Sequence, residues 1–296
     1  MSQENPAQFK GAFVFLNKTT SIIVGVLLLL GLYLTSFYNF LFFHSLAEMF
    51  SIAIAIGIFM IAWNSRHFSK DSFLLFIGIA ALFIGFIDLF HALSYKGMGI
   101  FTDYGANLPT QLWIVARYLQ ALSFLIAIFF IGKKLRPTAV LGGYLVVVTL
   151  LFLSIFYWGI FPDAFVEVSG LTDFKKISEY IISIILLLFM VSLYMKRKEL
   201  DKDVFNWLIV AGVASIVSEI AFTFYVSVFG LSNLVGHIFK IIAFYSLYVA
   251  IVQTSLLRPY STLFGDLKKE SEELVDLNKE LKNEVKKRKE IEGKLR

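Results

Sequence analysis

Residues 41–63 read LFFHSLAEMFSIAIAIGIFMIAW, a run whose only ionisable side chains are His44 and Glu48. As an α-helix rising ~1.5 Å per residue it is long enough to cross a hydrocarbon core of ~30 Å. Blocks such as VGVLLLLGLYL (24–34) do not alternate apolar with polar residues, which argues for helices and against a membrane barrel. The same pattern recurs outward from this stretch. The chain of 296 residues is 58% hydrophobic and only 17% charged, and its charges cluster between long apolar runs. Soluble domains carry nearer a quarter. The sequence predicts an all-α, polytopic transmembrane helix bundle.

About eight spans are expected, near residues 17–39, 40–63, 72–95, 109–131, 138–160, 176–195, 204–229 and 233–257. Seven is the alternative, because only Tyr38 and Asn39 separate the first two. RHFSKD (66–71), KKLRP (133–137) and KRKELDKD (196–203) concentrate Lys and Arg, which places them in the cytoplasm. GMGIFTDYGANLP (97–109) has no Lys or Arg and FPDAFVEVSGLTD (161–173) carries only acids, so both are expected outside. Both termini are then cytoplasmic, in keeping with Lys10 and Lys18. The opening residues lack the h-region and cleavage site of a secretory signal, so the first apolar run is read as a retained anchor. The net charge of +5 fits loops beside an anionic leaflet and calls for no nucleic acid. The absence of cysteine excludes disulfides and thiolate metal sites.

After Pro259 the composition changes to DLKKESEELVDLNKELKNEVKKRKEIEGKLR (266–296). With Leu267 at a heptad a position, Leu274 and Leu281 repeat at seven and Leu277 falls at d. Arg288, Glu270 and Glu284 weaken the seam. A solvated single helix is one reading. A parallel homodimeric coiled coil is favoured, since apolar heptads with charged flanks are its signature. The expected division is a cytoplasmic segment 1–16, a transmembrane domain 17–257, and a signalling helix 258–296 that leads to an output domain.

Burying His44 or Glu48 in hydrocarbon is costly unless the group is paired, neutralised or coordinated. Other spans carry the same kind of residue: Asp88 and His91, Trp113 and Arg117, Glu219, and His237 and Lys240. Counted from the expected outer ends, all fall roughly 6–15 Å deep at ~1.5 Å per residue. They form one layer in the outer half of the membrane. His44/Glu48 at i, i+4 and Asp88/His91 at i, i+3 each put two side chains on one helix face. Imidazole and carboxylate on facing helices is how bundles build metal sites. Three readings are open: a bound ion or haem, a polar pocket for a small ligand or proton, and ion pairs with a structural role alone. Histidine and carboxylate without sulfur suit zinc, iron, manganese or copper. The candidate metal ligands are His44, Glu48, Asp88, His91, His237 and Glu219. Arg117 and Lys240 offset carboxylate charge. His67, in a cytoplasmic loop, is read as solvated. No complete catalytic set appears, so an enzyme is not expected within these residues.

The stretches FHSLAEMFSI, IDLFHALSYKGMGIF, ANLPTQLWIVARYLQALS and LSNLVGHIFKIIAFYSLY resemble the third membrane-associated sensor (MASE) family of bacterial signalling proteins. The resemblance covers about residues 17–257. It adds Tyr95, Lys96 and Trp113 to the positions matching the family's polar motifs, as candidate ligand-binding residues. It implies an input domain in the bacterial inner membrane, ahead of a histidine kinase or diguanylate cyclase. Such a domain would pass a change at the polar layer through its last helix to the coil. The alternative from another class is a transporter or ion-conducting bundle, which also places ionisable groups in membranes.

Overall fold

The computed structural model describes residues 18–66, 72–224, 230–252 and 258–295. The expected cytoplasmic segment 1–16 and His67 lie outside these residues, as do the expected ends of two spans, 225–229 and 253–257. The helices are α1 (Lys18–Tyr38), α2 (Phe40–Ser65), α3 (Ser72–Ser94), α4 (Asn107–Ala127), α5 (Pro137–Phe152), α6 (Asp173–Met195), α7 (Lys202–Thr223), α8 (Leu231–Val252) and α9 (Arg258–Leu295). A 3₁₀ turn extends α4 over Ile128–Phe130 and a π turn extends α5 over Leu153–Tyr157. The two strands, β1 (Phe165–Val166) and β2 (Gly170–Leu171), form a small antiparallel hairpin before α6.

Local sequence sets the boundaries. Asn39 breaks α1 from α2, and its side chain accepts the Phe42 N–H at 3.2 Å, capping the new helix. Pro137 starts α5, Thr172 caps α6 and Asp201 caps α7. Among the described residues, α2 to α8 are long and apolar enough to cross a membrane, which makes 7 spans. The apolar stretch described in α1, Ile23–Tyr38, is shorter. With α1, itself a 21-residue helix (Lys18–Tyr38), the described helices still allow the eight spans read from the sequence.

Six helices close into a ring. In packing order they are α2, α3, α4, α6, α7 and α8, with α8 returning against α2. α5 lies outside, against α3, and α1 lies outside, against α2 and α8. Leu29, Leu32 and Tyr33 of α1 cover Phe43 and Ala47 of α2 and Leu234 and Ile241 of α8. The ring is tight where it has to be. A Cβ on Gly78 would lie 2.3 Å from the Ala62 Cβ, so α2 and α3 approach only because that atom is absent. The large apolar cluster fills one part of the ring interior, including Phe73, Ile77, Phe124 and Phe189. The ionisable side chains gather in the remaining part.

Candidate metal centre

Each ring helix contributes at least one polar residue to the interior. His44 and Glu48 come from α2, Asp88 and His91 from α3, Trp113 and Arg117 from α4, Lys175 and Glu179 from α6, Glu219 from α7, and His237 and Lys240 from α8. All are buried, with at most 4% of any one exposed.

Four of them converge. One donor atom from each of His44, Glu48, His91 and His237 lies within 4.8 Å of every other. His44 Nε2 is 3.3 Å from His91 Nε2, and His237 Nε2 is 3.1 Å from Glu48 Oε1. Donors about 2.0–2.1 Å from a tetrahedral ion stand about 3.3 Å apart. The His44 and His237 rings lie 4.7 Å apart, and Tyr95 stacks on His44 at 3.5 Å.

Hydrogen bonds fix the tautomers. His91 Nδ1 is 2.7 Å from the Pro109 carbonyl, and His237 Nδ1 is 2.9 Å from the Asn233 carbonyl. A carbonyl oxygen only accepts, so both Nδ1 atoms carry hydrogen and donate. In the neutral ring each Nε2 then presents a lone pair. His237 Nε2 points that lone pair at a carboxylate oxygen and has no hydrogen-bond partner. His91 Nε2 stands 3.9 Å from the same oxygen. Lone pairs facing each other in a buried site repel unless a cation, a proton or a metal ion, lies between them. A carbonyl behind the imidazole, as His91 and His237 have, is also the usual support for a metal-binding histidine; His44 Nδ1 is buried without such a partner.

The charges beside this cluster are paired. Lys240 Nζ donates to Glu48 at 2.9 and 2.6 Å and stands 3.0 Å from Asp88 Oδ2. Arg117 donates to both Asp88 oxygens at 2.6 and 2.8 Å and also to Gln120. Gln120 donates in turn to Ser215 Oγ at 3.2 Å. Arg117 and Lys240 sit over the Trp113 ring at 4.8 and 5.0 Å.

The sequence-predicted residues therefore divide. His44, Glu48, His91 and His237 come together as donors. Asp88 does not join them, because Arg117 and Lys240 engage its oxygens. Glu219 does not join them either; it is buried on α7, one turn from the described end of that helix at Thr223. Lys96 is turned outward and half exposed, pairing with Glu167. The space open beside the imidazoles is about 20 Å³, room for a water-sized guest. Sequence reasoning missed Lys175 and Glu179, which pair with each other in full burial. Their i, i+4 spacing just inside an apolar run repeats the His44/Glu48 signal.

A loop covers the outer end. Asn107 accepts from the Ala164 and Phe165 amides at 2.8 and 3.1 Å and donates to Asp163 at 2.7 Å. Glu167 receives the Lys96 ammonium at 2.9 Å and the Ala106 N–H at 3.2 Å. Gly105, at φ +56°, makes room for this carboxylate, because a Cβ there would meet it at 2.7 Å. The Lys96 bond, with help from Ala106, holds the Glu167 carboxyl below its usual range. A depressed carboxyl contributes stability above its unfolded value of about 4.3, lost as pH falls through the lower folded value. Glu167→Gln is expected to lower the exchange protection of the Ala106 amide at pH 7, as acid does in the wild type. Equal protection in the variant would show that the contact holds nothing.

Residues 35–259 match the MASE3 family profile, described as a membrane-associated sensor domain. No curated protein and no solved structure gave a significant match to the chain.

Proposed function

The chain belongs to the membrane-associated sensor domain family, and from that premise we propose that it senses through one transition-metal ion. His44, His91 and His237 would hold the ion, with Glu48 beside them. The observation that carries this reading is the unpartnered His237 Nε2 lone pair, 3.1 Å from a Glu48 oxygen, with the His44 and His91 Nε2 atoms converging beside it. The donor set suits zinc, iron, manganese or copper. An ion there would draw α2, α3 and α8 together, so loading, loss or a change of oxidation state would alter how those helices pack. Coordination needs neutral imidazoles, so affinity falls on acidification.

Protein purified in mild detergent without chelator is expected to carry about one equivalent of metal per chain by elemental analysis. Metal-free protein that takes up none of the four metals on reconstitution would defeat the reading. The same lone-pair geometry would then belong to a proton shared by His237 and Glu48.

The change would pass along α8, which carries His237 and Lys240 and is followed in sequence by α9. We place both termini in the cytoplasm of a bacterial inner membrane, where α9 would lead to a histidine kinase or diguanylate cyclase. Leu274, Leu277 and Leu281 are 62%, 64% and 59% exposed in the single chain. Pairing with a second copy would cover them; the Leu267 side chain lies outside the described residues. A cysteine at Leu274 is expected to cross-link to its twin under mild oxidation, well ahead of one at the exposed Lys279. Equal yields at the two positions would mean random collision.

A further inference from the structure

A cavity lies between the imidazoles and the outer loop, and its lining joins buried residues to an exposed one. His91 and His237 line its inner end, both buried. Lys96, whose side chain is 47% exposed, lines the mouth with Ala106, and Glu167 holds both. Trp113 and Phe222, with rings 4.2 Å apart, supply aromatic wall. Asn233 also lines it, and its Oδ1 is buried without a hydrogen-bond partner. It precedes His237 by four residues, so the two side chains share one face of α8. The open space is about 20 Å³, against the ~10–15 Å³ a single water requires. A metal ion crossing it therefore sheds nearly all of its hydration shell, which is costly. A wall oxygen with no other partner replaces part of that shell.

We infer that this cavity is the metal ion's way in, and that the Asn233 side-chain oxygen is the transfer ligand that hands the ion on to His237 and His91. The inference rests on the metal reading above. Charge favours a cation on this route. Among the described residues, the buried ionisable groups apart from histidine are four carboxylates (Glu48, Asp88, Glu179, Glu219) and three cations (Arg117, Lys175, Lys240). In their charged forms they leave one negative charge, and in a site this dry that charge attracts a cation more strongly than it would in water. The two lysines of the wall are compensated: Lys96 meets Glu167 at 2.9 Å, and Lys175 pairs with Glu179. In the orientation proposed above, the mouth faces outward. The domain then reads the metal ions of the extracytoplasmic side, not those of the cytoplasm.

The chain has no cysteine, so a single one can be placed at the mouth. Lys96→Cys is capped through a disulfide with either a methyl group or a bulky aromatic group. Metal-free protein is then mixed with cobalt(II), whose d–d absorption times its arrival at the imidazoles. The bulky cap is expected to slow uptake at least about tenfold against the methyl cap, with the same final loading. Exchanging the bulky cap for methyl should restore the fast rate. The same two caps on Lys134→Cys, exposed between α4 and α5, should give equal rates. Asn233→Leu keeps the backbone carbonyl that holds His237; it should slow uptake and release alike and leave the affinity unchanged. Equal rates under the two caps at position 96 mean that the ion enters elsewhere; the inference is then wrong and the metal reading stands. An unchanged rate in Asn233→Leu overturns the transfer role of its oxygen. If cobalt loads into no form, the uncapped wild type included, the metal reading fails and takes the inference with it.

Discussion

His237→Ala is expected to lose bound metal by at least about a hundredfold in affinity while the bundle stays folded. Altering a partner of a metal ligand already costs about 10–100-fold, and here the donor itself is removed. The fold should tolerate the change because no charge is stranded: Glu48 keeps both of its Lys240 bonds. His91→Ala should behave alike. It frees the Pro109 carbonyl but leaves Glu48 and Asp88 paired. The measurement combines elemental analysis with thermal unfolding of the metal-free proteins. Stoichiometric metal in either alanine variant would remove that histidine from the centre. Loss of fold in both would recast the cluster as a structural device.

Asp88→Leu is expected to be the most destabilising single change in the layer. Asp88 takes two hydrogen bonds from Arg117 and lies 3.0 Å from Lys240. Removing one partner of a buried pair typically costs about 3–5 kcal/mol, because the other charge is left without compensation. Here Arg117 would keep only Gln120, and Lys240 only Glu48. Adding Arg117→Met should restore much of the loss, since the surviving charges, Glu48 and Lys240, are matched. Thermal unfolding in detergent of the two single variants and the double variant gives the coupling directly. A loss under about 1 kcal/mol for Asp88→Leu would place the pair in contact with water.

The helical bundle was legible because lipid leaves little choice: long apolar runs must satisfy their backbone internally. The polar layer was legible for a related reason. Each of His44, Glu48, Asp88, His91, Arg117, His237 and Lys240 stands out in a run where a charge is costly. Partner choice was not legible. Depth along a span says which residues share a layer, but the order of helices around the ring decides that Asp88 meets Arg117 and Lys240, not the imidazoles. Glu219 was placed by a span end expected at residue 229, whereas the described helix ends at Thr223. Lys175 was missed because the acids of residues 161–173 drew the boundary of α6 too late, at 176; Glu179 fell inside the expected span and was overlooked without its partner. Thr172 caps that helix, so Lys175 is already inside its first turn.

Lys240 constrains how far its helix can travel. Its ammonium is gripped by carboxylates from α2 and α3 at once, Glu48 and Asp88, all three buried. A slide of α8 by one helical turn, about 5.4 Å, would pull the cation out of this notch and strand the Glu48 carboxylate, while Asp88 would keep Arg117. The notch acts as a mechanical detent: stiff against translation along the helix axis, softer to a small roll about it, because a flexible four-carbon stem can follow a roll. On the signalling route proposed above, such a helix would pass on torsion rather than a piston stroke.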